Sequence, residues 1–169
     1  NVIFNTKKDD YEETNLFLGQ PGGLLDTIHK PYPEIFRMYK KMLSLRWDEN
    51  EFDYGSCKPE FATCSKPMYQ AMIYNLAYQW EADTVAARSI VPLLAPFITN
   101  SELWCATMAI GTNEILHSLT YSEIVRNSFD NPNEVLDEVL SVTESFKRLE
   151  AVAKVFGYVH AISHSYALG

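Results

Sequence analysis

A carboxylate, an imidazole and a phenol lie about one helical turn apart in a single helix-forming stretch, as Glu114, His117 and Tyr121. Their steps of three and four residues put them on one face, in line with Leu103, Thr107, Ile110 and Ile124. The i, i+3 spacing of Glu114 and His117 aims a carboxylate oxygen and a ring nitrogen at one point, a pairing with which helical bundles hold metal ions in their cores. A lone Glu-x-x-His is common by chance. The apolar residues on the same line argue that this one points inward, where a buried polar pair needs a partner that a metal ion supplies.

A second candidate ligand lies upstream. The helix expected over roughly Lys66 to Ala87 carries the stripe Tyr69, Ile73, Leu76, Trp80, Asp83 and Ala87. Asp83 is either a solvated residue near a helix end or an inward carboxylate, and its alignment with Ile73, Leu76 and Trp80 favours the interior. His160 and His164 share a face at i, i+4 in the last helix, but no acid accompanies them and they read as structural. The cysteines, Cys57, Cys64 and Cys105, are odd in number and match no zinc spacing. They read as free thiols of a reducing cytoplasm.

The elements that must position these groups are helices. Residues 1–31 read as an extended arm, closed by Pro21, Gly22 and Gly23. The remainder, 32–169, reads as one helical domain. A first helix begins near Pro33 and runs toward Leu45-Arg46-Trp47, and Asp48 to Pro59 reads as a turn-rich acidic loop. Pro92 and Pro96 predict a bent connector over 90–100. The central helix comes next, from Ser101 to Ser128, capped by Asn100 or Ser101. Asn131 and Pro132 start a short helix, and a last one spans about Thr143 to Tyr166 with Phe146, Leu149, Val152, Ala153, Phe156 and Val159 on its apolar face. The chain of 169 residues is about one domain long, and its 47% hydrophobic content suffices for a core. A net charge of −8 disfavours nucleic acid as a partner. No run approaches the roughly 20 apolar residues of a membrane span, and no secretory signal pattern opens the chain. The expected class is all-α.

Asp83, followed about thirty residues on by Glu114-x-x-His117-x-x-x-Tyr121, resembles the small, radical-generating subunit of class I ribonucleotide reductase. Asn15-Leu16-Phe17-Leu18-Gly19-Gln20-Pro21, Leu43-Ser44-Leu45-Arg46-Trp47 and Tyr121-Ser122-Glu123-Ile124-Val125-Arg126-Asn127 add to the likeness, which covers roughly residues 15–165. The resemblance implies a ferritin-like di-iron carboxylate bundle, acting in the reduction of ribonucleotides to deoxyribonucleotides. It makes Asp83, Glu114 and His117 ligands of a di-iron centre, with manganese as an alternative metal. It makes Tyr121 the site of a tyrosyl radical, and Trp47 a station for electrons exchanged with the large subunit.

The likeness stops half-way through the family's pattern. The second carboxylate helix, the second Glu-x-x-His and the tail that docks on the large subunit have no counterpart here. The chain therefore resembles an N-terminal half, either one product of a split gene or a fragment. Ile73, Trp80, Leu103 and Ile110 are expected to face open water until a complementary chain supplies the missing Glu and Glu-x-x-His. Dimerisation of the assembled small subunit is expected, as in the family. The alternative is self-pairing: two copies would bring two Asp and two Glu-x-x-His together as a ferritin-like iron-oxidising and storage protein.

Overall fold

The structure is a computed structural model, and it describes residues 5–7 and 15–168, except the side chains of 163, 164 and 166–168. His164 therefore lies outside the described side chains. The described residues form six α-helices, in order α1 (Pro33–Ser44), α2 (Cys57–Thr63), α3 (Lys66–Leu94), α4 (Ser101–Ser128), α5 (Pro132–Ser141) and α6 (Thr143–Leu168). Short 3-10 turns occupy Glu49–Glu51 and Ala95–Phe97. Among the described residues the only β-type pairing is an isolated bridge between Phe17 and Ile98. No described helix is long and apolar enough to cross a membrane.

Helix α4 is the axis. It packs along α3 on one side and against α1 on another, while α5 and α6 lie on α3. Its start is fixed by Asn100, whose side-chain oxygen accepts from the backbone N–H of Leu103 at 2.8 Å. The Asn100 amide also donates to the Glu102 carboxylate at 2.6 Å, and both residues are fully buried. A buried cap ties the first turn to one position and satisfies donors that water cannot reach.

Close approach of α3 and α4 is set at Gly111. A Cβ there would lie 2.6 Å from Cγ2 of Val91, so only glycine admits the stiff, branched valine at this distance. Gly111 precedes Glu114 by less than one turn, and Val91 lies about two turns of α3 beyond Asp83. This contact therefore governs how near the two ligand-bearing segments can come.

The core lies toward the start of α3. Ile73, Leu76 and Ala77 pack with Val125 of α4, Val135 and Val139 of α5, and Val142. Tyr69, Trp80, Tyr121 and Phe129 close around this cluster. Ile73 is thus buried within the chain itself, contrary to the expectation that it needs a second polypeptide. Short α5 covers it. Ile110 is 37% exposed, as expected of a face without its covering helices.

Two further expectations are corrected. The predicted break at Pro92 does not occur, and α3 runs through it to Leu94. Proline forfeits one intrahelical hydrogen bond and crowds the preceding turn, yet here packing against α4 keeps the helix going. The loop expected over Asp48 to Pro59 contains a 3-10 turn with a capping box at Asp48 and Glu51, and helix α2 begins inside it at Cys57. Pro59 lies in the first turn of α2, where its missing N–H would have had no partner in any case.

The segment 15–31 forms no helix. It is pinned to the α3–α4 connection: Leu18 N–H donates to Phe97 O at 2.9 Å and Thr99 N–H to Leu16 O at 3.1 Å. Leu18 holds a positive φ of 56° between these bonds. The left-handed backbone costs a non-glycine residue about 1–3 kcal/mol, which the flanking hydrogen bonds offset.

Candidate metal centre

Asp83 arrives from α3, and Glu114 and His117 from α4, each with its side chain directed into the space between the helices. One potential ligand atom from each lies within 4.8 Å of the other two. Nδ1 of His117 is 3.5 Å from Oδ2 of Asp83 and 3.5 Å from Oε2 of Glu114. Two carboxylates and an imidazole meeting this closely leave two negative charges facing one another. A cation with a preference for oxygen and nitrogen relieves that repulsion.

Tyr121 completes the group. Its hydroxyl donates to Oδ2 of Asp83 at 2.9 Å, while its ring belongs to the wall of the core. Burial, followed by the hydrogen bond to Asp83 and the charges of Asp83 and Glu114, pushes the phenol up to about 12. The proton is firmly held on the oxygen at neutral pH. One further hydroxyl pair, Thr84 and Ser118 at 3.4 Å, bridges α3 and α4 next to the cluster, and Ser118 donates to the Glu114 carbonyl.

Trp47 comes from the chain just beyond α1. Its ring lies over that of His117, with centroids 6.0 Å apart and planes at 18°. Phe52 holds it edge-on at 5.1 Å. Four of the residues singled out from sequence thus form one group with the fifth, Trp47, stacked on its histidine. The side is open: the His117 side chain remains 40% exposed, and those of Asp83 and Glu114 22% each.

The residues fit the donor chemistry of a di-iron or di-manganese centre as one wall of its cage. They supply hard carboxylate oxygens and one imidazole, the set that such metals take in helical bundles. Three ligands do not complete two coordination spheres.

Sequence reasoning missed Glu81. It is 9% exposed, and neither carboxylate oxygen has a hydrogen-bond partner. Burial alone raises its carboxyl above the usual range. The signal was present in the row Ile73, Ala77, Glu81, at steps of four, whose first two members are among the most buried in the molecule.

The architecture defines a fold class, that of ferritin-like helical bundles, and the cluster brings two carboxylates and an imidazole together from its facing helices. No protein-family profile matches the chain. It is similar to the ribonucleoside-diphosphate reductase 1 subunit beta of Escherichia coli O157:H7, at 27% identity over 157 residues, 92% of this chain and 41% of that protein. The corresponding beta subunit of Haemophilus influenzae is 26% identical over 169 residues, covering 99% of this chain and 44% of that protein. That of Enterobacteria phage T4 is 26% identical over 159 residues, with 92% and 40% covered. Among solved structures, the ribonucleotide reductase R2 subunit from Clostridium botulinum superposes with a TM-score of 0.83 at 16% identity, covering 95% of this chain and 51% of that one. Over most of its length the chain is similar to ribonucleoside-diphosphate reductase beta subunits, matching roughly their N-terminal portion. It spans about two fifths of the length of the curated relatives it matches.

Proposed function

We propose that this chain supplies one wall of the metal centre, and the radical-forming tyrosine, of a ribonucleoside-diphosphate reductase small subunit. A complementary chain provides the other wall, with a glutamate and a second Glu-x-x-His. The reading is carried by one observation: ligand atoms of Asp83, Glu114 and His117 converge within 4.8 Å. The Tyr121 hydroxyl on Asp83 and the reductase likeness support it.

A reduced di-iron or di-manganese pair bound there supplies the capacity to turn dioxygen into an oxidant strong enough for a phenol. The chain's own residues govern where the proton and the electron go. Tyr121 stands one turn beyond His117, near the ligands without being one of them. Its oxygen already donates to Asp83, so the proton released on oxidation has an acceptor at 2.9 Å. That proton is otherwise held tightly, because burial and neighbouring carboxylates disfavour the phenolate. Electron and proton must therefore leave together. The ring sits against the Ile73, Leu76 and Ala77 cluster, which keeps water and small reductants from it. Trp47, stacked on His117, offers an aromatic path from a ligand toward the protein's surface.

In this reading the assembled unit acts with a large subunit that binds the ribonucleotide, and it pairs into a dimer. The open side of the cluster favours completion by another polypeptide, because two carboxylates and an imidazole hold a pair of metal ions weakly. Ferrous-iron titration tests this. The chain alone should bind iron weakly, and the chain with its complementary polypeptide should bind two irons per assembled unit with much higher affinity. His117→Ala should return the complex to the weak regime. Tight binding of two irons by the isolated chain, as a self-paired dimer, would favour the storage reading instead.

A further inference from the structure

Two hydroxyls join the ligand-bearing segments, each one residue beyond a ligand: Thr84 follows Asp83 on α3, and Ser118 follows His117 on α4. Their oxygens are 3.4 Å apart. Ser118 Oγ also lies 3.1 Å from the carbonyl of Glu114. A carbonyl can only accept, so the single proton of the serine hydroxyl is committed there. The serine oxygen is then left to accept, and the Thr84 hydroxyl must be the donor. A directed chain results, from Thr84 to Ser118 to the Glu114 carbonyl. It reaches the backbone of Glu114 and the immediate neighbours of Asp83 and His117, so all three ligand residues are tied to it.

A hydroxyl inside a helix commonly bonds the carbonyl one turn back. Thr112, Ser118 and Thr120 of α4 do so, on Met108, Glu114 and Leu116. Thr84 has the same option at the carbonyl of Trp80, yet its hydroxyl turns across to α4. The contact of Gly111 with Val91 limits how closely α3 and α4 approach, but an apolar contact is not directional. A hydrogen bond is. At 3.4 Å this one stands near the limit of hydrogen-bonding distance, so a slide of either helix by one residue, about 1.5 Å, breaks it.

We propose that Thr84 and Ser118 are positioning residues of the metal centre. Their bond between the helices sets the register of α3 against α4, and through it the reach of Asp83 to both His117 and the Tyr121 hydroxyl. The assignment rests on the preceding reading that the cluster holds metal. It adds the contact that keeps ligands from two helices opposite one another. Neither hydroxyl is itself a ligand, and both act through the residues beside them.

The test uses this chain in complex with the polypeptide from the same genome that carries the remaining reductase beta-subunit sequence. Ferrous iron is titrated into the complex, and electron paramagnetic resonance follows the addition of dioxygen. Thr84→Val removes the donor at nearly constant shape and should lower iron affinity about fivefold, the effect of one neutral hydrogen bond. The tyrosyl signal per bound iron pair should fall as well, a ratio that lost stability alone would not move. Ser118→Ala should act in the same way, and the double variant should lose no more than the worse of the two singles. Thr84→Ser keeps the hydroxyl and should restore both readings. Thr112→Val removes a hydroxyl bonded within its own helix and should change neither. Three results overturn the assignment while leaving the metal centre standing: parental readings from Thr84→Val, additive losses in the double variant, or no recovery in Thr84→Ser. If the parent complex binds no iron, the metal centre and its positioning residues fall together.

Discussion

Two tyrosine–carboxylate pairs tie α3 to its neighbours, and they look alike until their surroundings are compared. Tyr121 of α4 donates to Asp83 at 2.9 Å, and Tyr69 of α3 donates to Glu138 of α5 at 2.8 Å. Burial is the leading cause in both cases, and each phenol is pushed up to about 12. Around Tyr69 stand Phe61 and Phe129, both edge-on. Around Tyr121 stand Glu114 and His117, with Trp47 stacked on the histidine. The hydrogen bond between phenol and carboxylate is therefore a packing device that the molecule uses twice. What distinguishes the candidate centre is a second carboxylate and an imidazole aimed at the same point.

That contrast can be broken most sharply at the carboxylates. In the complex with the complementary chain, Asp83→Ala should lower iron affinity by about 100-fold or more, since one of few ligands is lost. Glu138→Ala removes an equivalent hydrogen bond and should leave iron affinity unchanged. Equal losses would show that both pairs act through stability alone.

A smaller effect is expected at the helix contact. Gly111→Ala places a methyl group against Val91 and should cost about 1–3 kcal/mol of stability through overpacking. Since the clash lies beside the ligand-bearing turns, iron affinity should fall too, while the Tyr69 phenol still titrates near 12. Denaturant unfolding and an ultraviolet phenolate titration read the two effects separately.

The smallest effect concerns pH. An unfolded chain loses a tyrosine proton near 10.0, whereas folded Tyr69 and Tyr121 hold theirs to about 12. Between those values the unfolded state gives up protons that the folded state keeps. The contribution of these two tyrosines to stability should therefore be constant below pH 10, fall as pH rises from about 10 to about 12, and level off above. Tyr69→Phe should make that fall shallower without altering iron binding.

Much of this arrangement was legible as spacing. Glu114, His117 and Tyr121 announce a common face because they share one helix, and the periodicity of a helix is local. Asp83 is different: its meeting with His117 depends on the register of α3 against α4, which the close contact at Gly111 sets and no local pattern encodes. Its alignment with Trp80 and the family resemblance pointed inward, and the structure brings it to the cluster. Pro92 misled because a proline's local cost was weighed without the packing that overrides it. Ile73 was expected to need a second chain because α5, only ten residues long, gave no hint that it would fold back over α3. Glu81 was overlooked because the stripe was traced through Leu76, Trp80 and Asp83, and Glu81 follows Trp80 by one residue. On a helix that displacement is about 100°, so the adjoining row through Ile73 and Ala77 that carries it was not followed.

The central claim is that Tyr121 is oxidised in a metal centre of which this chain forms only one wall. Electron paramagnetic resonance after reconstitution with ferrous iron and dioxygen tests it most directly. A tyrosyl signal should appear only with the complementary chain present, persist in Tyr69→Phe and vanish in Tyr121→Phe. A signal that survives Tyr121→Phe, or the lack of any signal from a complex fully loaded with iron, would contradict the account.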